Sequence, residues 1–411
     1  MAKKGTKAKK ATKPTKAAGL DPVKLEKQYK DALLEDVIPF WEKHSLDRQY
    51  GGYFSCLDRK GNVFDTDKFM WLQGRQVWMF SKLYNNVEKR PGWLEIAKLG
   101  VDFLKKHGRD DGGNFYFALR RDGEPMVAPY NIFSDSFACL GFSQYALASG
   151  DDEARQIALD TYHNILRRLD NPKGRWSKAQ RGARAFQTLV MPMILSNLTL
   201  ELDWALDASE RDRVLDESVH QVMDLCVDKE RLITFENVNP DGTHCDCLDG
   251  RLVSPGHGIE AMWFMMAVAR RRNDRAMIQR CAEIALSLVD FGWDKKHGGI
   301  FYFRDATYGA PADRLDWDQK LWWVHLETLV SLLMGYNLTG RRQLWRAFQK
   351  VHDWTWEHFA DPRYGEWFGY LRREGEPLLT IKGGKWKGCF HVPRGLYMVW
   401  RELQTLNGNN D

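Results

Sequence analysis

A phrase of paired glycines followed by an aromatic residue recurs at near-even spacing along this chain, and it constrains the fold more than any other feature. It reads Asp47…Gly51-Gly52-Tyr53-Phe54, Asp110…Gly112-Gly113-Asn114-Phe115 and Asp294…Gly298-Gly299-Ile300-Phe301, with a looser copy at Asp361…Gly365-Glu366-Trp367-Phe368. Successive first glycines are 61, 186 and 67 residues apart. The long interval leaves room for two degenerate copies, near Gly174-Arg175-Trp176 and Leu232-Ile233-Thr234-Phe235. Six units of about sixty residues mark a repeat architecture.

Between the phrases, apolar residues recur at three- and four-residue spacing. This predicts helices over 22–45, 68–86, 94–107, 135–149, 152–169, 187–206, 208–227, 255–271, 274–293, 319–340, 342–361 and 390–406. The phrases themselves read as short β-ribbons or turns, where glycine permits positive φ. Twelve helices in six hairpins predict an all-α fold, a closed (α/α)6 barrel with short β-ribbons in the loops. An open solenoid would need polar terminal caps, and neither end has that character.

The chain has 411 residues, 44% of them apolar, enough for a large core. Length alone allows two or three domains; the even repeat predicts a single one over 19–411. Net charge is +5, but residues 1–18 carry seven lysines and no acid, which leaves −2 for the remainder. That body is no basic nucleic-acid surface. The lysine-rich tail is expected to be disordered. It lacks the apolar stretch of a secretory signal, and no run reaches transmembrane length. Seven cysteines without framework spacing suit a reducing cytoplasm.

In a toroid the starts of the even-numbered helices converge on one mouth, and the unusual polar residues fall there. Ser254-Pro255-Gly256-His257 reads as an N-cap, a first-turn proline and a histidine whose protonation the helix dipole disfavours. Glu260, three residues on, shares its face and is expected to orient the ring. His391, in Cys389-Phe390-His391-Val392-Pro393-Arg394, occupies another helix start. Arg75, among apolar neighbours, needs either a buried carboxylate or a developing oxyanion. Glu327 carries the same two readings, and His325 points away from it. Trp71, Trp323 and Trp386 lie beside these groups, and aromatic faces suit the C–H face of a sugar. His244-Cys245-Asp246-Cys247 lacks the second pair that a zinc site requires. Gly383-Gly384-Lys385 lacks the rest of a phosphate loop and reads as a turn.

Four stretches carry a resemblance: Trp71-Leu72-Gln73-Gly74-Arg75-Gln76-Val77-Trp78-Met79, Pro255-Gly256-His257-Gly258-Ile259-Glu260-Ala261, Leu321-Trp322-Trp323-Val324-His325-Leu326-Glu327 and Lys387-Gly388-Cys389-Phe390-His391-Val392-Pro393-Arg394. With them the chain resembles the N-acylglucosamine 2-epimerase family, whose mammalian members are also called renin-binding proteins. The resemblance runs from near residue 20 to near 405. It implies an (α/α)6 barrel that interconverts N-acetylglucosamine and N-acetylmannosamine. It also implies catalytic roles for Arg75, His257, Glu260, Glu327 and His391, and sugar contacts for Trp71, Trp323, Trp386 and Arg394. Relatives acting on unsubstituted sugars often carry an Asn and a His on the helix matching 187–206. Met191-Pro192-Met193-Ile194-Leu195 has neither. Family members are commonly homodimers activated by ATP without consuming it; no nucleotide loop is recognisable here.

Inverting C2 beside a C1 aldehyde requires proton removal from one face of a planar enolate and return to the other. One imidazole on each side is the expected arrangement. Arg75 would carry the O1 charge, so no metal or redox cofactor is expected. Three rivals remain: an aldose–ketose isomerase or cellobiose-type 2-epimerase of the same superfamily, an inverting glycosidase using Glu260 and Glu327 about 6.5–9.5 Å apart, and a non-catalytic binding protein.

Overall fold

The computed structural model describes residues 20–180 and 182–409; the expected disordered tail lies outside them. The twelve helices form where periodicity placed them. α1 covers 22–44, with a π-helical turn at Ala32–Val37. There follow α2 (Met70–Asn86), α3 (Pro91–His107), α4 (Phe133–Ser149), α5 (Asp152–Arg167), α6 (Val190–Glu201) and α7 (208–226, ending in the π-turn His220–Cys226). The second half holds α8 (Pro255–Arg272), α9 (Arg275–Gly292), α10 (Trp322–Thr339), α11 (Arg342–Phe359) and α12 (His391–Asn407).

Burial separates two rings. In α10 every residue from Trp322 to Gly335 is buried, which suits a helix surrounded by protein. In α11 only Leu344, Phe348, Val351, His352, Trp354, Thr355 and Phe359 are buried, a single stripe at helical spacing. The even helices therefore form the inner ring of an (α/α)6 barrel and the odd ones its outer ring. Neighbouring inner helices pack in sequence order from α2 to α12, and α1 packs on α12. Phe390, which precedes α12, meets Trp78 of α2 at 5.3 Å between ring centroids and completes the circle.

Each glycine phrase folds back onto the end of the preceding outer helix. The aromatic N–H donates to a helix-end carbonyl: Phe54 to Ser45, Phe301 to Gly292 and Phe368 to Phe359 at 2.6, 2.9 and 2.8 Å. Gly51, Gly52, Gly298 and Gly299 take φ between 69° and 84°, a region closed to most side chains. The degenerate copy at Leu232–Phe235 repeats the device, with Phe235 donating to Cys226 at 2.9 Å. Gly174–Trp176 does not; it forms an exposed 3₁₀ turn. An acceptor on the following inner helix then pins three of the loops. Gln73 Oε1 takes the Tyr53 N–H at 2.8 Å, Asp135 Oδ1 the Phe115 N–H at 3.2 Å and His325 Nε2 the Ile300 N–H at 3.0 Å.

The phrase aspartates anchor three repeat-related ion clusters. Asp47 holds Lys68 and Arg121 at 3.0 and 2.9 Å, and Asp294 holds Lys320 and Arg373 at 3.4 and 2.8 Å. In each, the lysine precedes the next inner helix and the arginine comes from one repeat further on. Asp361 follows the same rule across the chain ends. Its lysine is Lys382 at 2.9 Å, and its arginine is Arg59 of the first repeat at 2.8 Å. The sixth repeat is thus locked to the first by the contact that links other neighbours. Asp361→Ala leaves Lys382 buried beside Lys387 without this counter-charge, and removing one partner of a buried pair costs about 3–5 kcal/mol. The urea midpoint of unfolding is expected to fall accordingly, whereas Lys27→Ala at the exposed Lys27–Asp31 pair leaves it in place. An unchanged midpoint in Asp361→Ala would separate the cluster from ring closure.

Candidate active site

Inner-helix starts bring the sequence-selected side chains together. Trp71, Trp323 and Gly256 occupy second positions of α2, α10 and α8, while Arg75, Glu327 and Glu260 occupy the sixth. His257 sits in the first turn of α8, where Ser254 caps its N–H at 3.4 Å; His391 opens α12. The Trp323 indole neighbours both imidazoles, 5.0 Å from His257 and 6.0 Å from His391 between ring centroids.

The two histidines carry opposite electrostatic settings. His391 Nδ1–H donates to Glu327 Oε1 at 2.8 Å, which leaves Nε2 with a free lone pair. Burial and the nearby Arg394 and Arg75 guanidinium groups outweigh Glu327 and push His391 down to about 3. Glu327 resists its own burial because Arg394 and His391 stabilise its charge, and it falls to about 2. His257 Nδ1–H donates to both Glu236 oxygens at 3.1 and 3.0 Å. There burial disfavours the cation, but Glu236 overrides it and raises the imidazole above its ordinary value. The more accessible His257 (24% exposed) thus tends to hold a proton, and His391 (11% exposed) to lack one.

Glu260 does not orient His257, contrary to the helix-face expectation. Its Oε1 accepts from Arg394 at 2.6 Å, and the same arginine nitrogen reaches Glu327 Oε1 at 2.7 Å. The guanidinium always carries charge, whereas the His257 Nδ1–H is already committed to Glu236. Burial and the Glu327 charge raise Glu260 despite that partner. Glu260, Glu327 and His391 offer ligand atoms within 4.8 Å of one another, but the cation they hold is the Arg394 guanidinium. Trp263 Nε1–H fixes the other Glu327 oxygen at 2.9 Å. Arg394, expected among the sugar contacts, is bound to its glutamates by one nitrogen, while its Nε has no partner.

Among the described residues Arg75 has no carboxylate in hydrogen-bond or ion-pair contact. Its guanidinium lies over Phe137 at 3.8 Å, Trp71 at 4.6 Å and Phe390 at 4.9 Å, and its Nε is buried without a hydrogen bond. Burial and repulsion from Arg394 lower it to about 9. Trp386 stands at the rim, 49% exposed and edge-on to Trp71 at 5.3 Å. His325 lies outside this group, fully buried in the Ile300 loop with Nδ1 donating to Leu321 O at 2.8 Å.

Sequence reasoning missed Glu236. It follows Phe235 of the degenerate phrase, where the other ribbons place Ser55, Tyr302 and Gly369. A lone acid at that repeat position was the available signal.

Residues 52–392 match the profile of the N-acylglucosamine 2-epimerase (GlcNAc 2-epimerase) family. The chain belongs to this family. It is 38% identical over 386 residues to N-acylglucosamine 2-epimerase of Mus musculus, spanning 91% of this chain and 90% of the relative. Identity to cellobiose 2-epimerase of Bacteroides fragilis is 24%, spanning 90% and 97%. The solved cellobiose 2-epimerase from Bacillus thermoamylovorans B4167 superposes with a TM-score of 0.79 at 21% identity, covering 92% of this chain and 99% of that one. The carbohydrate 2-epimerase family and the (α/α)6 barrel anticipated from the motifs are therefore correct. Among the described residues no helix is long and apolar enough to cross a membrane.

The His257–Glu236 pair stabilises the fold fully below the unfolded imidazole value of about 6.5, and that contribution is lost as pH rises through the raised folded value. In an NMR titration of labelled imidazoles, Glu236→Gln is expected to move the His257 midpoint down. His391 is expected to stay neutral between about pH 5 and 8 in both proteins. A His257 midpoint indifferent to Glu236 would break the pairing.

Proposed function

We propose that the chain interconverts N-acetyl-D-glucosamine and N-acetyl-D-mannosamine by two-base proton transfer at C2 of the ring-opened sugar. The observation that carries this reading is that two imidazoles with different carboxylate partners, His257 on Glu236 and His391 on Glu327, both neighbour one indole, Trp323, and their surroundings shift them in opposite directions. Environments that drive two titrating groups apart assign the base and the acid.

In the open chain, the C1 aldehyde acidifies the C2 hydrogen. His391 Nε2 takes that proton, and Glu327 stabilises the imidazolium that forms. Negative charge develops on O1, and the Arg75 guanidinium, whose Nε is buried without a hydrogen bond, is available to stabilise it. Protonated His257 then delivers its proton to the opposite face, with Glu236 holding the ring. The reverse reaction runs the same steps with the two roles exchanged. Arg394 serves as a positioning residue, holding Glu260 and Glu327 at 2.6 and 2.7 Å. Trp71, Trp323 and Trp386 offer faces to the sugar, and the greater identity to N-acylglucosamine 2-epimerases than to cellobiose 2-epimerases supports an acylamino sugar. A glycosidase reading is weaker, since Arg394 already holds the two carboxylates it would need.

Conversion assays test the assignment. His257→Ala and His391→Ala are each expected to lose epimerisation by at least ~100-fold, the scale of a positioned acid or base. Arg75→Ala is expected to lower kcat by ~100-fold or more, the scale of one oxyanion donor. Full activity in either histidine variant removes that residue from the reaction. Offered N-acetylmannosamine, mannose and cellobiose separately, the protein is expected to turn over the first; turnover of mannose alone would favour the isomerase.

A further inference from the structure

The seven cysteines fall into two groups. Cys56, Cys139, Cys226, Cys281 and Cys389 are buried, and burial pushes Cys56 up to about 11 and Cys226 and Cys281 up to about 12. Cys245 and Cys247 are half-exposed, with their Sγ atoms 3.5 Å apart. The backbone creates this proximity: Cys247 N–H donates to Cys245 O at 2.8 Å, folding Cys-Asp-Cys back on itself. Gly250, whose lack of a Cβ lets the chain pass against the Cys245 carbonyl, donates its N–H to Cys247 Sγ at 3.4 Å. Arg184 places Nη1 3.4 Å from Cys245 Sγ. Cys247 is thereby favoured as thiolate, chiefly through the Gly250 N–H, while its hydrogen bond to Cys247 holds Cys245 as thiol. Such a pair contains an attacking and a resolving sulfur side by side. His244, which precedes the pair, stacks on Phe235 at 4.6 Å.

We propose that Cys245 and Cys247 are a reactive dithiol that small-molecule disulfides close reversibly into an intramolecular disulfide. Cys247 thiolate attacks one sulfur of the reagent and expels one thiolate. Cys245 then loses its proton, attacks Cys247 Sγ and expels the second. Two protein thiols are oxidised by two electrons, and the reagent is reduced to two thiols that take up the protons. The short loop and exposure place the product among labile disulfides that excess thiol reopens.

The test treats the folded full-length protein with oxidised glutathione, traps remaining thiols with iodoacetamide and analyses the tryptic fragment 232–251, which carries both cysteines. The fragment is expected to lose about 2 Da, the two hydrogens of a closed dithiol, and take up no label. Dithiothreitol should restore both thiols, and the five buried cysteines should remain thiols throughout. Cys245→Ser is expected to stop at a glutathione adduct on Cys247, and Cys247→Ser to react more slowly than that variant. Two alkylated thiols after oxidation, or a persisting glutathione adduct in the unaltered chain, would overturn the proposal.

Discussion

One guanidinium organises the centre of this barrel. Arg394 of α12 binds Glu260 of α8 and Glu327 of α10 inside the protein, where a lone carboxylate would be costly. Three inner helices are thereby fixed at the level of their first two turns. The clamp also sets a tautomer, because Glu327, kept ionised by Arg394, dictates which nitrogen of His391 bears hydrogen. A neutral, oriented imidazole follows from a structural ion cluster rather than from any property of histidine itself.

The same economy operates in the loops. Paired glycines allow each ribbon to turn back onto its helix, and a single acceptor on the next inner helix secures the returning strand. Gln73 and His325 perform this task at the same position of α2 and α10, which explains why His325 is structural although it neighbours reactive groups. Asp–Lys–Arg clusters tie repeat to repeat. When Arg59 serves Asp361, the ends of the chain are joined by the ordinary inter-repeat contact, so closure needs no separate device.

Much of this was legible in the residues. Helical periodicity located the twelve long helices with ends displaced by only a few residues, because each outer helix shows one apolar stripe and four of the six inner helices follow a glycine phrase. Motif resemblance selected Arg75, His257, Glu260, Glu327 and His391, and the fold brings them together. Partnerships were less legible. Glu260 shares a helical face with His257, yet a buried cation 134 residues away engages it instead. Glu236 reaches His257 from a ribbon whose glycines have been lost, so spacing pointed to the ribbon and not to its acid. Gly174–Trp176 had the opposite fault, a glycine–aromatic pair with no ribbon around it.

The account stands on two histidines acting from opposite faces of one carbon. The most direct measurement is the isotope content at C2 after a single turnover in deuterium oxide with substrate carrying ordinary hydrogen. Two separate bases predict that every product molecule carries solvent deuterium at C2 while unreacted substrate remains unlabelled. Product that retains the original hydrogen would show one group moving the proton between faces and would contradict the account.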